Sequence, residues 1–472
     1  MSVTTATDLW RMSAGELAAV IRSRQASSLE VVQALLRRIA EGDPSVNAVP
    51  VVLTESAIDA AKAADRMTVA GQARGPLHGV PFTVKGNIDV AGTPTTQGLS
   101  MFADAYPARD APGVQRLRAA GAIPIGRTNL PNLAVRWHTD SELWGPTVNP
   151  WDRRRTPGAS SGGEAAAIAT GMSPLGLGSD GLGSLRWPAQ CCGVAALKPT
   201  LGRIPDASSV PGPALRPIGA QLTVVVGPMA RRVVDLRGAF DVLAGPSWRD
   251  PWSVPAPLRG PAPAQPVRVA LVSDPARLGT ATQVRDGVAR AGRALAEAGY
   301  PVDEVEPPSV ESAARAGLAM LNTPEIRAQW HAMSAFLPAD TQRFLGAFYR
   351  VAGDTDAVTA MQGFITRQSL LQAWGEFQRS RPLIVAPVCT DVPFDAGTDL
   401  ADGWVARTIR AMGMAIAVNA LGLPAIAVPV GVADGLPQVV QIIGPRYRED
   451  LCLDAAQALE DSAGVITPID SR

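Results

Sequence analysis

Two glycine- and serine-rich turns set the strongest limit on how this chain folds. The first is Pro157-Gly-Ala-Ser160-Ser161-Gly-Gly163 and the second Gly178-Ser-Asp-Gly-Leu-Gly-Ser184. Between them, Ser161-Gly-Gly-Glu164 has the spacing of a capping box opening an alanine-rich helix that stops near Gly171. Pro174 to Gly178 then reads as a short strand leading into the second turn. A helix feeding a strand that ends in a tight turn is the unit of a sheet covered by helices.

The same alternation recurs on either side. Upstream, a strand is expected at Val80 to Val84, a helix at Asp110 to Ala120 with Pro112 in its first turn and Gly121 as its stop, and a strand at Ala122 to Ile125. Helices open the chain at Ser13 to Arg22 and Ser28 to Glu41, with Ser27 and Ser28 as caps. Downstream, Val267 to Val272 begins a strand, Val284 to Glu297 a helix, and Leu383 to Pro387, Ala425 to Val430 and Val439 to Ile443 are strands. A last helix runs from about Glu449 to Glu460. The 472 residues divide into N-terminal helices (1–65), a core with both turns (66–250), a Pro- and Ala-rich linker (251–266) and a C-terminal half (267–472). Within that half, residues 308–380 read as helical and carry Trp330, Phe344, Phe348, Trp374 and other aromatics.

Composition narrows the functional classes. Lysine plus arginine and aspartate plus glutamate number 43 each, so no overall field favours nucleic acid or an anionic membrane. The start, MSVTTATDLWRMSAGEL, lacks the apolar core of a secretion signal. The longest apolar stretch, Met412 to Val432, contains Asn419, Pro424 and Pro429 and reads as buried strand rather than membrane span. Four cysteines, with Cys191 and Cys192 adjacent, make no disulfide framework and point to buried packing in a reduced cytoplasm. Three scattered histidines (His78, His138, His331) give no metal-ligand spacing, and no cofactor is expected.

Lysine usage is the most informative count. Only Lys62, Lys85 and Lys198 occur among the 43 basic residues. A chain that uses arginine wherever a positive charge suffices keeps lysine where a deprotonable amine is needed. Lys62 lies in the solvated helical pattern ESAIDAAKAADRM, whereas Lys85 and Lys198 end apolar runs.

Three readings of the turns compete. Gly158-x-Ser160-x-Gly162 fits the nucleophile elbow of an α/β-hydrolase-type esterase, but the only later histidine, His331, sits in a helical context. Gly176-x-Gly178-x-x-Gly181 fits a dinucleotide fingerprint, but Pro188 is expected to interrupt the following helix and no acid stands about 20 residues on. The third reading is two plain turns whose serines bond locally. A lysine at the end of an apolar run, ahead of both turns, argues against it.

The long ordered motifs resemble the amidase signature family. They are Gly79-Val-Pro-Phe-Thr-Val-Lys85-Gly86, Gly145-Pro-Thr-Val-Asn149-Pro150, both turns through Leu185-Arg186, Cys192-Gly193, Leu197-Lys198-Pro-Thr200 and Gly227-Pro-Met-Ala230. Leu423-Pro424, Pro429-Val-Gly431 and Gln441-Ile-Ile-Gly444 extend the likeness over nearly the whole chain. The resemblance implies one α/β/α domain with a large mixed, mostly parallel sheet covered by helices on both faces. It also implies hydrolysis of C–N bonds other than peptide bonds. Carried over by position, Ser184 is the nucleophile, Ser160, after a cis peptide, the bridging serine, and Lys85 the base. The amides of Gly181, Leu182, Gly183 and Ser184 would form the oxyanion hole, with Asp180, Arg186 and Ser161 in support and Lys198 structural. A lysine acting as base near neutral pH must have its pKa lowered by roughly 3 units, which the apolar run before Lys85 favours.

The sequence departs from the family at Leu182, commonly glycine, and at Ala159. With Trp137, Trp144 and Trp187 near the motif loops, Leu182 points to a small apolar or aromatic amide, anilide or carbamate substrate, although the same tryptophans equally suit a core. The family also contains the glutamine-hydrolysing component of tRNA-dependent amidotransferases, the main alternative function. The expected enzyme is a cytoplasmic monomer or homodimer that binds neither nucleic acid nor membrane.

Overall fold

The computed structural model describes residues 9–210, 216–262, 266–353 and 355–467. Among the described residues thirteen strands form: β1 Val51–Val52, β2 Pro81–Lys85, β3 Ile123–Thr128, β4 Asp140–Ser141, β5 Gly145–Pro146, β6 Leu175–Asp180 and β7 Ala195–Lys198, then β8 Val225–Ala230, β9 Val269–Leu271, β10 Val302–Glu304, β11 Leu383–Pro387, β12 Ala425–Ala433 and β13 Leu436–Ile443. Apart from the small β4–β5 ribbon, all join one 11-stranded sheet in the order β1-β3-β2-β6-β8-β7-β12-β13-β11-β9-β10. The central strands are buried on both faces, and the apolar core is continuous across the two halves of the chain.

The sheet is mixed, but it is not mostly parallel. β3, β2 and β6 run parallel, as do β11, β9 and β10, while every other neighbouring pair is antiparallel. The antiparallel centre follows from local turn chemistry and from one distant pairing. β12 and β13 are joined by Asp434-Gly435, both at positive φ, the signature of a two-residue hairpin turn. β7 then meets β12 antiparallel, with Lys198 opposite Ala425.

Helix boundaries follow their caps. Ala14–Arg22 and Ser28–Gly42 each begin with a capping box, Ser13 with Glu16 and Ser27 with Glu30. The 308–380 region is helical, as Val310–Met320, Pro324–Met333, Ala339–Ala352 and Ala357–Ser380. His331 sits within the second of these. Two expectations fail locally. Pro188 lies inside the helix Arg186–Cys192, in its first turn, where a missing N–H costs no hydrogen bond. The apolar run from Met412 is half helix, Gly413–Leu421, before it becomes β12, because Gly422 in the left-handed region ends the helix. The expected linker 251–266 runs as turns and irregular chain where described, and 263–265 lie outside the described residues. No helix among the described residues is long and apolar enough to cross a membrane.

This architecture puts Lys85 at the carboxyl end of β2 and Asp180 at the carboxyl end of its neighbour β6. Open α/β sheets place their ligands at these strand ends.

Candidate active site

Lys85 has no exposed surface, and its ammonium is held by two hydroxyls. Nζ donates to Ser160 Oγ at 2.7 Å and to Ser179 Oγ at 3.0 Å. Asn87 Nδ2 donates to the same Ser179 oxygen at 3.3 Å. Burial pushes the Lys85 amine down to about 7, against the opposing pull of Asp180 and Glu164. The amine is therefore poised between its charged and neutral forms near neutral pH, as a base for hydroxyl chemistry needs to be.

Ser160 follows a cis peptide with Ala159 and is buried. Ser161 tethers the two turns: its N–H donates to Ser184 O at 3.1 Å and its Oγ to Ser179 O at 3.2 Å. The expected Ser161–Glu164 capping box does not form, because both side chains are used elsewhere. Glu164 turns into the sheet, where Thr83 and Thr128 donate to its carboxylate, the latter at 2.8 Å. Gly176 makes the room, since a Cβ there would sit 2.0 Å from Glu164 Oε1.

Ser184 is half-buried, at the end of the second turn. Lys85, Ser160 and the Ser184 segment are thus brought together, but no hydrogen bond joins the Ser160 and Ser184 hydroxyls among the described residues. Such contacts commonly tighten only around substrate.

The second turn is shaped by Asp180, whose carboxylate accepts from the amides of Gly183 at 2.7 Å and Leu185 at 3.1 Å. Gly183 sits at φ 101°, a conformation that favours glycine. Its amide, expected among the oxyanion donors, is therefore already engaged. Among the described residues no acceptor meets the amides of Gly181, Leu182 and Ser184. Leu182 keeps a negative φ and packs against the core edge, so the side chain that departs from the family's glycine fits without disturbing the loop.

Arg186 clamps Asp180 with Nε at 3.0 Å and Nη2 at 3.1 Å, and also donates to Gln441 Oε1 at 2.7 Å, Ala415 O at 3.0 Å and Asn419 Oδ1. Burial alone would raise the Asp180 carboxyl, but Arg186, Lys198 and the amide donors together hold it well below the usual carboxylate range. Arg186→Met should destabilise the protein by about 3–5 kcal/mol, because it strips the buried Asp180 carboxylate of its counter-ion and takes a donor from Gln441, Ala415 and Asn419. Denaturant unfolding checks this; a loss under about 1 kcal/mol would show that the clamp holds nothing.

The aromatic expectations separate. Trp187 is fully buried, stacks on Phe394 at 5.8 Å and donates Nε1 to Trp137 O at 3.1 Å. Trp137 is buried too, edge-on to Phe344 at 5.4 Å. Both take the core role that the sequence left open. Trp144 lies 37% exposed in the β4–β5 turn. Of the four residues expected to line a pocket, Leu182 is the one on the nucleophile loop. Lys198, also buried and pushed to about 7 by burial, donates to Pro199 O at 3.0 Å, a structural placement. The four cysteines are free and buried. Sequence reasoning missed Ser179, Glu164, Asn419 and Gln441. Ser179, Glu164 and Gln441 each stood inside a motif, whereas Asn419 carried no signal.

Comparison with known proteins shows the family. The amidase family model matches residues 30–453. The chain is 40% identical over 460 residues to an indoleacetamide hydrolase of Bradyrhizobium diazoefficiens, covering 97% of this chain and 88% of that protein. It is 33% identical over 516 residues to a glutamyl-tRNA(Gln) amidotransferase subunit of Salinispora tropica, covering 98% and 99%. A bacterial aryl acylamidase of known structure superposes with a TM-score of 0.83 at 26% identity, over 96% of each chain. The chain belongs to the amidase signature family and is an amide hydrolase acting on C–N bonds other than peptide bonds.

Proposed function

We propose that the chain is a serine amidase for apolar aromatic amides, with Ser184 as nucleophile, Ser160 as proton bridge and Lys85 as base. The observation that carries this reading is the 2.7 Å contact from Lys85 Nζ to Ser160 Oγ in a fully buried setting, tied through Ser161 to the Ser184 backbone. Neutral Lys85 takes the Ser160 proton while Ser160 takes that of Ser184, whose Oγ bonds to the amide carbon. The oxyanion is met by the free amides of Gly181, Leu182 and Ser184. Collapse breaks the C–N bond as the proton returns along the same path to the leaving nitrogen. Water then repeats the sequence on the acyl-enzyme, with Lys85 again receiving the proton and returning it to Ser184.

Leu182 beside the nucleophile supports an apolar substrate, as does likeness to an indoleacetamide hydrolase and an aryl acylamidase. Primary arylacetamides and anilides fit best, with aryl carbamates processed through a carbamoyl-enzyme. A panel of arylacetamides, nitroanilides, aryl carbamates and glutamine tests this. The expected result is a kcat/KM for an arylacetamide at least about 100-fold above that for glutamine, a gap that mismatched burial of a polar side chain readily supplies. Glutamine as the best substrate, with the chain running as a larger complex on size exclusion when mixed with candidate partners, would favour the amidotransferase role instead.

A further inference from the structure

Resting on the assignment of Lys85 as base, we propose that Glu164 is a positioning residue whose buried carboxylate, together with that of Asp180, raises the proton affinity of Lys85 and so shifts the pH at which the enzyme switches on. Thr83 and Lys85 project from the same face of β2, two residues and about 7 Å apart. Thr83 donates to Glu164 Oε1, and Thr128, the register neighbour of Lys85 on β3, donates to Oε2 at 2.8 Å. Glu164 therefore sits at the base of the lysine, on the same helix that begins after Ser160.

Two carboxylates act on the amine, Asp180 the more strongly and Glu164 after it. Asp180, on β6, divides its charge between Lys85 and its ion pair with Arg186, whereas Glu164 has no ion pair within bonding distance among the described residues. Arg127, on β3, faces Glu164 but spends its guanidinium on Thr93, Ile88 O and Lys85 O. The partners of Glu164 itself are neutral hydroxyls. A carboxylate with only neutral donors in a dry site keeps its field, and a lysine in the same site is the charge it acts on. Burial lifts the Glu164 carboxyl to about 7 despite those hydroxyls and the nearby Lys85 and Arg127.

The sign follows from the charges. Burial lowers the proton affinity of Lys85, and the Asp180 and Glu164 charges oppose it. The Glu164 charge pulls its proton affinity back up, strengthening the base and raising the acid limb of the rate profile. Glu164→Gln keeps the shape and removes the charge. The acid limb of kcat/KM should then move down by about one pH unit, with the plateau changed less than tenfold. Thr83→Val, which withdraws a donor from the ionised carboxylate, should move it in the same direction by less, and decides the matter if Glu164→Gln does not fold. An acid limb unmoved in the folded Glu164→Gln enzyme, or unmoved in Thr83→Val where Glu164→Gln does not fold, overturns the inference. Lys85→Ala measured alongside separates the two failures. If it retains amide hydrolysis the base assignment falls; if it is inactive and the limb stays put, only the role of Glu164 falls.

Discussion

Ser184→Ala should lower kcat/KM for every amide substrate by about 10⁴-fold or more and abolish covalent labelling by a fluorophosphonate. A nucleophile has no substitute within its own relay. Removing it leaves only the oxyanion donors and binding, a small residue of the full rate enhancement. The change should leave folding alone, because the half-buried Ser184 side chain makes no hydrogen bond among the described residues and its loss removes a single oxygen. Thermal unfolding within about 0.5 kcal/mol of the parent would confirm that the lost rate is chemical. The competing assignment is specific. Ser160 stands in the Gly-x-Ser-x-Gly pattern and is the serine that touches Lys85. If intact-mass analysis shows the fluorophosphonate adduct retained in Ser184→Ala and lost in Ser160→Ala, the roles of the two serines are reversed.

Lys85→Ala should separate substrates by their leaving groups. Amide nitrogen cannot depart unprotonated, so loss of the base that takes and returns the proton should cost roughly 10³-fold or more on an anilide. An activated aryl ester has a leaving group that needs no proton, and its loss should be at least tenfold smaller. Because Lys85 is fully buried, the alanine variant also leaves a cavity; Lys85→Met, which fills most of the volume, should show the same split. Equal losses on ester and anilide in both variants would remove Lys85 from the relay. The parent enzyme should gain activity as pH rises through about 7, where burial sets the amine, and lose it below. A flat profile down to pH 5 would contradict that assignment.

Much of the site is legible in the order of the amino acids. The strand before Lys85, the helix between the two turns and the Asp180–Arg186 support are where the sequence implies, because each depends on residues within one or two elements of each other. The failures share a cause. Ser161-x-x-Glu164 is a sound capping pattern, but Thr83 and Thr128 offer the carboxylate a buried partner that no local rule contains. Gly183 belongs among the oxyanion donors by its place in the motif, while its N–H answers to Asp180 three residues earlier. Trp187 suits a pocket wall by its position beside the nucleophile loop, yet Phe394 and Trp137 enclose it.

The sequence by itself determined the periodic elements and the two turns, since these rest on residues close in the chain; the three residues proposed to react came from its resemblance to a family. Tertiary structure alone decided which strands pair antiparallel and how dry Lys85 is. It also decided that Arg186 is completed by Asn419 and Gln441, more than two hundred residues away. Solvent exclusion and distant pairing are properties of neighbours in space. Periodicity records only which face of an element is buried, not what it is buried against.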